Sequence, residues 1–124
     1  MKLRIKGDSI RLRLTQSEVS AVAGGDTVVE TTSLPQPFTY ALEASGERIG
    51  AAFAAGRMTV SIPHAIALRW ASTEEVSLRG REGAVEILVE KDFACLVPRE
   101  GEEDPDAFPN PLAERGTARG TERA

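Results

Sequence analysis

The feature that most constrains the fold is the opening stretch, MKLRIKGDSIRLRL. Leu3 and Ile5 alternate with Lys2, Arg4 and Lys6, and Ile10, Leu12 and Leu14 alternate with Arg11 and Arg13. An apolar residue at every second position marks a strand with one buried and one solvated face. Gly7-Asp8 between the two runs has the composition of a tight hairpin turn. The chain must therefore open with a hairpin that buries one face and shows five cations on the other.

The period then changes. Thr15-Gln16-Ser17-Glu18 matches a capping box, Leu14 and Val19 can form a hydrophobic staple across it, and Gly24-Gly25 supplies a C-terminal stop. This pattern predicts a helix over residues 16–23. Further strands are expected at 26–33, 38–44, 48–54, 58–62, 75–80 and 84–90. Pro63 is placed to open a second helix over 63–71, because a first-turn residue needs no amide, and Ile66 and Trp70 form its core face.

Residues 10–30 can be laid on 58–78 without gaps. Ile10, Leu12 and Leu14 then fall on Met58, Val60 and Ile62, although only Ala23 with Ala71 and Val28 with Val76 are identical. The pattern predicts an α+β, β-rich fold of two β-β-α-β pseudo-repeats. These would close a small barrel of the cradle-loop or double-psi kind, which removes exposed strand edges. The alternative is a strongly curved antiparallel sheet carrying the two short helices.

Residues 1–97 are expected to form one globular domain, in keeping with 124 residues of which 41% are apolar. The stretch from Pro98 carries PREGEEDPDAFPNP and then LAERGTARGTERA, with no apolar periodicity. Residues 98–124 are expected to be an acidic, mostly disordered tail, with Phe108 docking on the domain. The absence of a secretory hydrophobic region and of any long apolar run predicts a cytoplasmic protein with no membrane contact. A single cysteine, Cys95, cannot form an internal disulfide and fits a reducing compartment.

Catalytic signals are sparse. His64 is the one histidine, and no nucleophile motif accompanies it. Cys95 sits between Phe93 and Leu96, a setting for an inert thiol rather than a reactive one. Glu90, Asp92 and the EEDPD stretch could offer oxygen ligands, but without calcium-loop spacing. No glycine pattern matches a phosphate-binding loop. These observations predict no catalytic residue, no metal and no cofactor.

The basic hairpin carries the candidate site: Lys2, Arg4, Lys6, Arg11 and Arg13 as anion or partner contacts. A two-residue turn would place Arg4 opposite Arg11 and Lys2 opposite Arg13, and like charges directly opposite one another are destabilising. Either carboxylates of neighbouring strands (Glu30, Glu43, Glu86, Glu90) answer them, or an external anion does. The net charge of −4 favours the internal answer. In the tail, Phe108 and Asn110 of DAFPNP are the candidate contacts of an extended, aromatic-anchored peptide.

Several stretches, KLRIKGDSIRLRLTQSEV, FTYALEA, VSIPHAIALRWA and VEKDFACL followed by EEDPDAFPNP, resemble an uncharacterised family of small bacterial proteins over residues 1 to about 111. The resemblance implies a bacterial, intracellular protein and brings no function or site residues with it. GDSIRLRL and GRMTVSIPHAIA are also similar to the strand-then-helix signature of swapped-hairpin transcription factors and antitoxins. Here Asp8 replaces the usual asparagine, and the isoleucine-proline pair occurs in the second copy alone, the first having Leu14-Thr15. That likeness implies a barrel more than it implies DNA binding. The expected function is a non-catalytic binding module with an unidentified protein partner and unknown oligomeric state. The alternatives are a nucleic-acid-binding regulator using the hairpin and a metal-dependent enzyme using carboxylates and His64.

Overall fold

The computed structural model describes residues 1–93 and 105–109. In chain order its elements are β1 (Lys2–Ile5), β2 (Ser9–Leu14), α1 (Gln16–Ala23), β3 (Val28–Thr32), β4 (Phe38–Ala44), β5 (Gly50–Ala54), β6 (Arg57–Ile62), α2 (His64–Ser72), β7 (Ser77–Glu82) and β8 (Val85–Lys91). The strands form two four-stranded sheets, ordered β1-β2-β8-β7 and β3-β4-β6-β5. In each sheet two antiparallel hairpins meet through a parallel central pair, β2 with β8 and β4 with β6.

The repeat unit is thus β-β-α-β-β, one strand longer than the sequence pattern indicated, and each half gives one hairpin to each sheet. The shift of the sequence echo, 10 onto 58, carries Ser9–Leu14 onto Arg57–Ile62 and the helix start Gln16 onto His64. Hairpin register follows it, with Lys2 facing Arg13 as Gly50 faces Ser61, and the parallel pairs match one position apart, Leu14 facing Lys91 while Ile62 faces Ala44.

No closed barrel forms. Sheet closure would require β5 to pair with β7, but the Glu82 carboxylate accepts the Ala51 amide (3.2 Å) in place of a backbone carbonyl. Arg48 clamps the same carboxylate through Nη2 at 2.9 and 3.0 Å. On the other side, the Met1 ammonium sits 2.5 Å from Glu18 and 2.9 Å from Glu30, while Tyr40 donates to the Met1 carbonyl at 3.4 Å. Side chains, not a continuous hydrogen-bond ladder, join the sheets.

The core is one cluster fed by the alternation. Leu12 and Leu14 of β2, Val60 and Ile62 of β6, Leu42 of β4, Val89 of β8 and Trp70 of α2 are all fully buried. Trp70 satisfies its indole by donating to the Val76 carbonyl at 3.0 Å, as a buried Trp requires. Leu14 and Val19 are buried as the staple predicts. In the capping box the Thr15 amide donates to Glu18 Oε1 (2.9 Å), and the other Glu18 oxygen holds the Met1 ammonium. Gly24 stays right-handed and Gly25 makes the left-handed turn (φ 101°). Pro63 is the residue just before α2, with extended ψ (143°), not its first helical residue. Its carbonyl accepts the Ala67 amide at 3.0 Å and so starts the helix from outside.

Candidate functional site

The hairpin register is the one that the Gly7-Asp8 turn dictates: Lys2 opposite Arg13, Leu3 opposite Leu12, Arg4 opposite Arg11, Ile5 opposite Ile10. The Lys6 amide closes the turn on the Ser9 carbonyl at 3.0 Å. Leu12, Leu14, Ile87, Val89 and Leu78 point into the core, so the intervening residues of all four strands share the outer face.

Three rows cross that face. Lys2, Arg13, Glu90 and Ser77 form the first, and Arg4, Arg11, Leu88 and Arg79 the second. The third runs from Lys6 and Ser9 through Glu86 to Arg81. The five hairpin cations are therefore brought together, and β7 adds Arg79 and Arg81 to them. Seven cations face three carboxylates, Glu86, Glu90 and Asp92, a surplus of four on a chain whose net charge is −4.

The internal answer to the opposed charges is partial. Glu90 Oε1 accepts Arg11 Nε at 2.6 Å and Arg13 Nε at 3.2 Å, and Ser77 Oγ lies 3.3 Å from its other oxygen. Burial pushes the Glu90 carboxyl upward, but the hydrogen bonds and charges of Arg11 and then Arg13 outweigh it, so the group lies below the ordinary glutamate range. Lys2 Nζ reaches Asp92 at 3.0 Å, and Arg81 reaches Glu86 at 3.0 Å. Arg4, Lys6 and Arg79 are exposed and have no carboxylate partner among the described residues. Two carboxylates expected to help are elsewhere: Glu30 holds the Met1 ammonium and Glu43 accepts Ser45 Oγ at 2.9 Å.

The second sheet provides an internal comparison. Under the shift that relates the halves, Lys2, Arg4 and Lys6 correspond to Gly50, Ala52 and Ala54, while Arg11 and Arg13 correspond to Thr59 and Ser61. The corresponding face of β3-β4-β6-β5 carries one cation, Arg57, and one carboxylate, Glu43. The same architecture is thus built without a basic face, so folding does not demand one.

Residues 105–109 lie against the first turn of α1 and the end of β8. The Gln16 amide donates to the Asp106 carbonyl at 2.9 Å, and the Phe108 amide to the Asp92 carbonyl at 2.8 Å. Phe108 bridges to Phe93 with ring centroids 5.9 Å apart, and the Lys91 ammonium lies 5.3 Å from the Phe108 ring. Phe108 is therefore seated against the domain. Asn110, Cys95 and the rest of 98–124 lie outside the described residues.

The enzyme candidate, His64, sits in the first turn of α2 with Nε2 3.1 Å from the Ala23 carbonyl, a contact between the helices. No group of three or more metal-ligating side chains occurs among the described residues. No helix among them is long and apolar enough to cross a membrane. The sequence missed Arg79, Arg81, Leu88 and Asp92 as parts of the site. SLRGRE alternates basic residues as the hairpin does, but nothing local says which strands adjoin.

No curated protein and no solved structure matches the chain. A family described as "Family of unknown function (DUF7009)" matches residues 1–112, a span holding both sheets and the docked segment. The chain therefore belongs to DUF7009, a family of unknown function.

Proposed function

We propose that this chain is a non-catalytic binding module, that it contacts its partner through the outer face of β1-β2-β8-β7, and that the partner is an acidic stretch of another protein. The contrast between the two sheets carries the reading. Equivalent positions are glycine, alanine, serine and threonine in one sheet and lysine and arginine in the other, with three cations left without carboxylates. The fold would be more stable without Arg4 facing Arg11, so the cations are better explained by what they bind.

The middle row favours a polypeptide. Leu88 is half-buried between Arg11 and Arg79, and an aliphatic centre ringed by arginines resembles a protein interface core with its polar rim. No aromatic side chain stands on this face to stack a base. A nucleic-acid reading keeps one observation in its favour, the surplus of unpaired cations. It requires a steep salt dependence, with a log–log slope of about −4 if the five hairpin cations contact duplex phosphates.

The two readings separate in one titration by fluorescence anisotropy. Labelled poly-glutamate and a labelled DNA duplex are each mixed with the wild type, Arg4→Ala/Arg79→Ala and the charge-matched Arg57→Ala/Arg69→Ala at about 50 and 200 mM salt. The reading expects poly-glutamate binding that the first variant loses and the second keeps. Equal loss in both variants would mean non-specific attraction and would sink it. Tight duplex binding with the steep slope would replace it with the nucleic-acid reading.

A further inference from the structure

The segment Pro105–Pro109 occupies a seat made by two parts of the domain that are remote from it in sequence or in backbone path. From the helix side, the Gln16 side-chain amide donates to the Ala107 carbonyl at 3.0 Å, beside the Gln16 amide bond to the Asp106 carbonyl at 2.9 Å. The Asp106 carboxylate accepts the Ser17 amide at 3.3 Å and the Ser17 hydroxyl. From the strand side, Asp92 accepts the Phe108 amide, Phe93 tilts against the Phe108 ring at 57°, and Lys91 lies over that ring. Hydrogen bonds from Ser17 and Thr15 hold the Asp106 carboxyl below the ordinary aspartate range despite some desolvation.

The seat thus reads three features of the segment: a carboxylate at the start of a helix, a single backbone bridge at Phe108 that follows a turn at residues 105–106, and an aromatic ring two residues beyond the carboxylate. A helix N-terminus favours the first, a strand end pairs with the second, and the Phe93–Lys91 pair receives the third. Every such contact is non-covalent. The covalent link between Phe93 and Phe108 runs through residues 94–107.

We propose that this seat is a receptor for an Asp-x-Phe segment, and that it accepts Pro105–Pro109 from a second copy of the chain as well as from its own. The donor and acceptor groups in the two arrangements are identical, so the choice between them is one of concentration. A short link supplies an effective concentration in roughly the millimolar range. The chain's own segment therefore wins in dilute solution, and exchange follows when that copy is disabled or the protein is concentrated.

The test uses the full chain with its own segment disabled, Phe108→Ala, and a labelled peptide of sequence DPDAFPN. Anisotropy is expected to give binding at least about tenfold tighter than to the wild type, whose seat is already filled. Adding Phe93→Ala to the disabled chain should abolish binding, as should replacing the peptide's phenylalanine by alanine. Mixing the Phe108→Ala chain with a Phe93→Ala chain should give a heterodimer on size exclusion, one supplying the seat and the other the segment. Asp106→Ala is the second vacated-seat variant should Phe108→Ala fail to fold. Equal peptide binding by wild type and a folded vacated-seat variant would overturn the proposal, as would binding that survives Phe93→Ala. It would also fall if both vacated-seat chains were unfolded, because the segment would then be a fixed part of the core.

Discussion

Arg4 stands directly opposite Arg11 across the β1–β2 hairpin, and Arg11 turns its Nε to Glu90 at 2.6 Å while Arg4 finds no carboxylate among the described residues. The like-charged pair is thus only half compensated. Replacing Arg4 by Thr should relieve the repulsion and raise stability by about 0.2–1 kcal/mol. Urea unfolding of the two chains checks this, and a clear loss of stability would show that Arg4 has a structural partner after all.

Glu90 is the opposite case. It takes Arg11 and Arg13, and lies within reach of Ser77 from a neighbouring strand, so Glu90→Gln should destabilise by about 1–2 kcal/mol. Because its folded-state value is depressed, its contribution is present above the ordinary glutamate range and is lost as pH falls through the lower folded value. The gap between wild type and Glu90→Gln should therefore be full at neutral pH and close in acid. Denaturant midpoints at about pH 7 and pH 3 measure it, and a gap that widened in acid would contradict the assignment.

The two-sheet contact near β5 and β7 depends on a missing side chain. A Cβ on Gly80 would lie 2.5 Å from the Ile49 Cβ and 3.1 Å from its carbonyl oxygen. Gly80→Ala should cost about 1–3 kcal/mol through overpacking. Combining it with Ile49→Gly, which removes the Cβ that the new methyl would meet, should cost less than the two changes summed, since they share one contact. Additive losses in thermal unfolding would show that the clash is absorbed elsewhere.

Ala55 turns the β5–β6 hairpin at φ 50°, and Gly7, its counterpart in the first hairpin, has φ 54°. An L-residue in this conformation is strained where glycine is not. Ala55→Gly should stabilise by about 0.5–1 kcal/mol, less the extra chain entropy of glycine in the unfolded state. A lower Tm would mean that the Ala55 methyl makes a contact worth more than the strain.

Local signals in the sequence were strong enough to read every element and the hairpin register, because Gly7-Asp8 leaves one pairing for Lys2, Arg4 and their partners. What local signals could not carry was adjacency. β2 lies parallel to β8 across most of the chain, and neither strand's own alternation names its neighbour. The arrival of Arg79 and Arg81 on the basic face, and of Asp92 beside Lys2, follows from that pairing alone. Barrel closure failed for a related reason: the Glu82 carboxylate takes the Ala51 amide that a closing strand would need, and a side chain's reach is not written in a hydropathy pattern.

The central claim is that the outer face of β1-β2-β8-β7 is a binding surface for an acidic polypeptide. Chemical-shift mapping of the amides during titration with poly-glutamate tests it most directly. The account predicts shifts concentrated at Arg4, Arg11, Leu88 and Arg79, with the equivalent positions Ala52, Thr59 and Ala41 in the second sheet unmoved. Shifts spread evenly over both sheets, or none at the middle row, would contradict it.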